Sequence, residues 1–192
     1  MRFKATLANA AQLSKVVHHF ARLADACLVH LTPQSLTVAI AVHETQALAE
    51  LAKHELFFDY RIESRAPNNR ISFFVKLDNL ARALKSCVAQ SERTQLKLTK
   101  KMGGAPTLTF EILLAASHAQ LLHDVPLRIV QADEEMHAYA EPTYDPAQFS
   151  LSVVLPYAEL RGMRNVIERM KVFAEYIELV VKDDASLHGV DS

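Results

Sequence analysis

The fold class is decided by the stretch Ile71-Ser-Phe-Phe-Val-Lys-Leu77 and by the apolar residues that follow it at Leu80, Ala83, Leu84, Cys87 and Val88. The stretch is rich in β-branched and aromatic residues, which favours a strand. The apolar residues after it are spaced by three and four, which predicts the buried face of a helix. Asp78 lies between the two patterns and is the expected N-cap of that helix. A strand therefore leads directly into an amphipathic helix, which is typical of an α+β protein.

This strand and helix open a unit that recurs along the chain. After the helix, a Gly103-Gly104 turn joins the strand-like runs Thr94 to Thr99 and Thr107 to Ile112, which predicts a hairpin. Upstream, the strand Arg2 to Leu7 leads into a helix whose apolar face begins at Leu13. Further strands are predicted after each helix, at Cys27 to Leu31, Leu36 to Ile40, Ala47 to Leu51, Leu56 to Ile62 and Ala119 to Val130. In the last of these, Pro126 is expected at a sheet edge or near the strand's start. The sequence thus predicts duplicated β-α-β-β-β units.

A third unit follows an acidic, irregular segment. The run from Gln131 to Ala147 shows neither a strand period nor a helix period, which is typical of a domain linker. Beyond it we expect a strand from Phe149 to Leu155, a helix after Pro156 and a strand from Tyr176 to Val181. The predicted organisation is a first domain at 1–130, a connector at 131–147 and the first part of a second domain at 148–192. That second domain is expected to be incomplete, because the third unit stops before its remaining strands.

Composition limits the class of protein. Half of the residues are hydrophobic and 22% are charged, which excludes a disordered or low-complexity chain. No apolar run is long enough for a membrane span, and no signal peptide is recognisable at the start. The two cysteines, Cys27 and Cys87, stand alone, which favours a reducing compartment, the cytosol or the nucleus. The formal net charge is −1, so any contact with nucleic acid must come from a local basic surface.

Such local surfaces are predicted on all three helices. On a helical wheel the basic side chains lie opposite the apolar face, and the first two helices place them at matching positions. For each helix alone, an ordinary solvated face is the alternative interpretation. The shared bias predicts a DNA-facing set, which comprises Lys15, His18, Arg22, Arg82, Lys85, Arg161, Arg164, Arg169 and Lys171.

Catalytic chemistry finds little support in the sequence. The phosphate-binding glycine motifs, the zinc-protease motif and the hydrolase nucleophile motif are absent. The nine histidines are scattered and form no i, i+4 pair that would hold a metal. We therefore expect a protein that is not an enzyme and has no metal and no cofactor.

Six short stretches, in this order and spacing, resemble the HUS subunit family of the DNA-damage checkpoint clamp, the nine-one-one complex. They are Met1-Arg-Phe-Lys-Ala5, Leu31-Thr-Pro-Gln-Ser-Leu36, Leu77-Asp-Asn-Leu-Ala-Arg-Ala-Leu-Lys85, Leu96-Lys-Leu-Thr-Lys100, His123-Asp-Val-Pro-Leu127 and Val166-Ile-Glu-Arg-Met-Lys171. The resemblance runs from Met1 to about Val181. It implies a PCNA-like sliding-clamp fold, with helices on the inner face and sheets outside.

The resemblance also implies a function and partners. The family forms a heterotrimeric ring with RAD-nine-type and RAD-one-type subunits, encircles double-stranded DNA and receives a clamp loader and repair enzymes. A nuclear location and no membrane contact are implied with it. The connector of such clamps lies beside the place where partner peptides bind, which suggests a partner-binding set of Asp133, Glu134, Met136, Tyr139 and Tyr144.

Two other functions stay open at this stage. A homotrimeric replication clamp has the same fold, and only the six short stretches favour the checkpoint subunit over it. A small α+β enzyme with an unrecognised site is the alternative from another class.

Overall fold

The computed structural model describes residues 1–42, 45–101, 103–130, 138–139, 156–174 and 176–178. The chain divides into two compact units, Met1–Pro142 and Thr143–Ser192. The division falls inside the segment predicted to be the connector, while the domain boundaries given above stay a prediction.

The described part of the first unit is an α+β arrangement, as predicted. Its strands are β1 Arg2–Leu7, β2 Ala26–Leu31, β3 Ser35–Val42, β4 Thr45–Ala52, β5 Phe57–Glu63, β6 Ile71–Lys76, β7 Ser91–Lys100, β8 Pro106–Leu114 and β9 Gln120–Val130. Its helices are α1 Ala10–Phe20, the single turn α2 Lys53–Leu56 and α3 Leu77–Gln90, with a short 3₁₀ turn at Pro67–Asn69. In the second unit the described residues contain the helix α4 Tyr157–Met170.

The strands form one antiparallel sheet in which the two repeated units exchange their first strands. The order is β4-β3-β2-β6-β9-β8-β7-β1-β5, so β1 pairs with β7 of the second repeat and β6 pairs with β2 of the first. Strand β9 serves both halves, because Gln120 to Pro126 pairs with β8 and Leu127 to Val130 pairs with β6. In the first repeat, two separate strands take the places of these two parts of β9: β4 corresponds to the part paired with β8, and β5 to the part paired with β6. The turn α2 separates them. Duplicated units, predicted from the periodicity, are confirmed.

Helices α1 and α3 cover one face of this sheet. Alternate strand residues face them, and the resulting cluster includes Phe3, Phe73 and Phe110, all nearly inaccessible to solvent. The predicted anchor Leu84 is fully buried, and Phe20 is half-buried against the same cluster. The helices are therefore fixed to the sheet by their apolar sides, which leaves their polar sides facing outward.

Individual residues explain where α1 begins and why the chain turns between β7 and β8. The Asn9 side chain accepts a hydrogen bond of 3.0 Å from the Gln12 backbone N–H, which caps the start of α1. Gly103 and Gly104 have φ values of 93° and 80°, at which the backbone of a residue with a side chain would be strained. The predicted glycine turn is therefore confirmed.

Several predicted details are corrected by the structure. Helix α3 begins at Leu77 with Lys76 as its N-cap, so Asp78 lies inside the first turn. There its negative charge interacts favourably with the positive end of the helix dipole. Strand β5 begins at Phe57 because Leu56 belongs to the turn α2. Pro126 is well inside β9, at the point where that strand leaves β8 and joins β6.

The predicted third unit is described in part. Its helix is present as α4, and Pro156 precedes it as expected. Tyr176 to Glu178 lie outside any strand, so that part of the predicted strand Tyr176 to Val181 is wrong. The predicted strand Phe149 to Leu155 lies outside the described residues. None of the helices in the described ranges has the length and apolarity that crossing a membrane requires.

Candidate nucleic-acid interface

The candidate interface is the polar side of α1 and α3, which lie next to each other. The two helices use equivalent residues to reach the sheet, since Leu13 and Val17 are buried in α1 and Leu80 and Leu84 in α3. Because the anchors match, the outward positions of the two helices match as well. The duplicated sequence pattern is thus converted into one continuous outward surface.

Basic side chains occupy that surface. Lys15 and His18 on α1 and Arg82 and Lys85 on α3 are all exposed. Helix α1 contains no acidic residue, and α3 contains only Asp78. Within the part of the chain that the structure describes, Lys15 and Lys85 form no ion pair. Their charges are therefore available to an anion from outside the chain.

An open groove runs between the two helices. It has a volume of about 540 Å³, and His18, Arg82, Lys85 and Asp78 are among the side chains that line it. The Arg82 guanidinium Nη2 donates a hydrogen bond of 2.7 Å to the Asn79 side-chain oxygen, which holds it along its own helix. The groove brings together three of the nine residues in the predicted DNA-facing set.

Two further members of that set belong to the first unit, Lys15 and Arg22, and they do not line the groove. Lys15 is one turn before His18 on the same side of α1, and Arg22 is exposed in the turn that follows this helix. The four that belong to the second unit, all exposed on or just after α4, are Arg161, Arg164, Arg169 and Lys171. Lys171 forms an ion pair with Glu168 one turn earlier. Their DNA-facing role stays a prediction.

The arrangement suits weak phosphate contacts better than base recognition. Lysine and arginine on a shallow helix surface neutralise phosphates without reaching base edges, and such contacts are independent of sequence and sensitive to salt. Reading bases requires side chains that enter a groove of the duplex. A helix pair anchored on a sheet instead presents its exposed cations to the phosphate backbone.

One residue of the predicted partner-binding set is described. Tyr139 is half-buried, and its ring packs edge-on against Phe74 with 5.2 Å between the ring centroids. The Gln46 side chain of β4 donates a hydrogen bond to the carbonyl oxygen of Ala138. Residues 138–139 therefore lie against the sheet face opposite the helices. Asp133, Glu134, Met136 and Tyr144 lie outside the described residues.

The sequence reasoning missed what Tyr139 packs against. Phe74, Leu28 and Ala39 are register neighbours on β6, β2 and β3, on the face that points away from the helices. Leu28 and Ala39 are each 4% exposed, so this outer face is covered as well. The signal was the pair Phe73-Phe74, since two successive large apolar residues in a strand indicate burial on both faces of a sheet.

Groups that could support nucleophilic chemistry are few in the described ranges. His30 Nδ1 lies 2.7 Å from Ser72 Oγ, and His123 Nε2 lies 3.1 Å from Ser86 Oγ. Burial, helped by the nearby Arg70 charge, lowers the pKa of His30. Neither ring is hydrogen-bonded to a carboxylate among the described residues, so the third group of a catalytic triad is not in place there.

The described residues also give little support for thiol reactivity or metal binding. Burial raises the pKa of the Cys27 thiol to about 12, which keeps it protonated and unreactive at neutral pH. Burial also raises the pKa of Cys87. Among the described residues, no group of three or more His, Cys, Asp or Glu side chains is placed to hold a metal ion.

The chain is similar to known proteins over nearly its whole length. The family of Hus1-like proteins matches residues 1–189. The chain belongs to the Hus1-like family. It is 28% identical over 185 residues to the checkpoint protein hus1 homolog of Dictyostelium discoideum, which covers 94% of this chain and 66% of that protein. It is 26% identical over 182 residues to checkpoint protein hus1 of Schizosaccharomyces pombe, which covers 92% of this chain and 61% of that protein.

Family membership confirms the resemblance drawn from the six short stretches. The fold is the PCNA-like sliding-clamp fold, and the exchanged β-α-β-β-β repeats of the first unit follow it. The chain spans slightly less than two thirds of the length of the curated relatives it matches.

Proposed function

We propose that the chain is a non-catalytic subunit of a heterotrimeric checkpoint clamp that encircles double-stranded DNA at damage sites in the nucleus. RAD-nine-type and RAD-one-type chains are the other two subunits. The observation that carries this proposal is the basic outward surface of α1 and α3 in a Hus1-like chain whose net charge is only −1. A ring needs no tight grip on DNA, because closure around the duplex provides retention and weak phosphate contacts permit sliding.

The connector side completes the proposed role. Asp133, Glu134, Met136, Tyr139 and Tyr144 form the surface at which a clamp loader and repair enzymes dock. The packing of Tyr139 on Phe74 supports this assignment, because it holds part of the connector against the outer sheet face. Proteins recruited there would remain beside the DNA without contacting the bases.

Free strand edges support assembly into a ring. Among the described residues, β4 pairs only with β3, and Gln120 to Pro126 of β9 pairs only with β8. These two edges hold equivalent positions in the two repeats, and each carries a large exposed apolar side chain, Leu48 and Leu122. An unpaired edge offers N–H and C=O groups to a strand of another chain. We infer that these edges join neighbouring clamp domains.

Co-expression tests the assembly. With RAD-nine-type and RAD-one-type subunits, the chain is expected to purify as a complex containing one copy of each, measured by native mass spectrometry. Leu48→Asp and Leu122→Asp are expected to reduce the yield of complex, because an unpaired charge at an apolar interface is costly. Leu23→Asp is the matched control, since Leu23 is 56% exposed in the turn after α1 and outside both edges.

The alternatives give different results in the same experiment. A homotrimer of this chain, formed without the other subunits, would instead support a replication clamp and overturn the heterotrimer. An equal drop in yield for all three variants would show that the two strand edges are not where subunits join.

A further inference from the structure

A second basic surface lies on the sheet face that points away from the helices. Lys4 of β1 is directly opposite Arg61 of β5 on one side and Lys97 of β7 on the other. Phe3 and Ala5, its neighbours along the strand, both face the core. Because successive strand residues point to opposite faces, Lys4, Arg61 and Lys97 form one row of cations on the outer face.

Within the described residues, one cation of this row and the cations that flank it are ion-paired, whereas the other two cations of the row are not. Lys97 Nζ lies 2.6 Å from a Glu111 carboxylate oxygen. Lys101 Nζ lies 2.7 Å from Asp124, and that hydrogen bond is the main reason that the pKa of Asp124 lies below its ordinary value. Arg2 lies 3.9 Å from Glu63. Within the described ranges, Lys4 and Arg61 form no ion pair.

The facing cations Lys4 and Arg61 lower the stability of the fold, and nothing in the sheet requires them. Like charges directly opposite each other on an antiparallel pair are destabilising. A glutamate at either position would relieve the repulsion while keeping a long, polar, exposed side chain. Residue pairs that destabilise the fold with no structural benefit are expected at sites where a protein binds a ligand. The missing counter-charge therefore points to an acidic ligand.

The surroundings indicate the class of that ligand. Lys4, Arg61, Glu63 and Lys97 line an open cleft of about 310 Å³. Phe58, 64% exposed, is paired with Thr6 on the same face, two residues along β1 from Lys4. Glu63 and Glu111 flank the row, and a peptide can space its acidic side chains to avoid them, which the closely and evenly spaced charges of a phosphate backbone cannot do. The exposed aromatic ring offers an apolar contact that a peptide side chain can use.

We propose that this surface, which we call the Lys4–Arg61 patch, binds an acidic peptide segment of another protein. The patch and the helix surface lie on opposite faces of the sheet, so both can be occupied at once. The inference concerns the single chain, and it holds whether or not the ring proposed above forms.

Fluorescence anisotropy on the full chain tests the proposal. The probe is a labelled peptide with Glu at every second position and a central Leu, and the control probe has Gln in place of each Glu. Lys4→Glu combined with Arg61→Glu is expected to weaken binding of the Glu peptide by roughly tenfold or more. Lys15→Glu combined with Lys85→Glu changes the net charge equally on the helix surface and is expected to leave peptide binding within about twofold.

Three outcomes would overturn the patch. The Glu peptide binds no better than the Gln peptide, both double variants weaken its binding equally, or unlabelled duplex DNA displaces it from the wild-type chain. The last result would mean that the patch is a nucleic-acid site. As a check on the premise, Lys4→Glu alone should raise the melting temperature, because it replaces a repulsive cross-strand pair with an attractive one. A lower melting temperature would contradict the premise.

Discussion

Leu84→Ala is expected to lower the free energy of unfolding by about 2 to 5 kcal/mol. Leu84 is completely buried on the sheet side of α3, among the core side chains that α1 and α3 share with the sheet. Truncation removes apolar burial and leaves a cavity that the surrounding β strands cannot fully close. Urea titration followed by circular dichroism measures the change.

A matched control separates the effect of burial from the loss of the side-chain atoms themselves. Leu23→Ala removes the same atoms from a residue that is 56% exposed, and it is expected to change the free energy of unfolding by no more than about 0.5 kcal/mol. If Leu84→Ala were as mild as Leu23→Ala, the face of α3 assigned to the sheet would be wrong, and so would the outward direction of Arg82 and Lys85.

Arg82→Ala combined with Lys85→Ala is expected to leave folding nearly intact and to weaken DNA binding by the assembled clamp on the order of tenfold. Both side chains are exposed and line the groove between α1 and α3. Removing one cation that neutralises a phosphate reduces the dependence of the logarithm of affinity on the logarithm of salt concentration by about 0.9, so the slope should fall by roughly 2. A salt titration of binding to a linear duplex measures it.

The control for this prediction removes the same charge elsewhere. Lys4 and Arg61 are exposed and lie on the sheet face that points away from the helices. Lys4→Ala combined with Arg61→Ala should leave the salt dependence close to that of the wild type. If the two double variants behaved alike, DNA binding would depend on net charge and not on the helix surface.

Sequence periodicity predicted the parts of this fold that are local. The apolar spacing of α1 and α3 predicted most of their buried faces, and Leu13 and Leu84 are buried as that spacing requires. Val88 was assigned to the same face and is 51% exposed, because it lies near the end of α3, at the rim of the buried face. The β7–β8 hairpin was predictable because its glycine turn and alternating strands are close in sequence. The helix surface followed from the same wheel, since the residues opposite a buried face must point outward.

Contacts between distant segments could not be read in this way. The exchange of β1 and β6 between repeats depends on which strands pair, and periodicity gives a strand's faces but not its neighbours. The Lys4–Arg61 patch joins residues far apart in sequence, so no local pattern reveals it. The resemblance pointed to Tyr139, but its contact with Phe74 could not be predicted, because the two residues are far apart in sequence and meet only in the folded sheet.

The central claim is that this chain acts by encircling DNA, and one measurement tests it most directly. The complex with RAD-nine-type and RAD-one-type subunits is loaded by its clamp loader onto closed circular DNA, and the amount retained is measured in high salt before and after the circle is cut once. We expect the complex to stay on the circle in high salt, where phosphate contacts are weak, and to be released when the DNA becomes linear. Dissociation from the intact circle in high salt, or retention after the cut, would contradict the account.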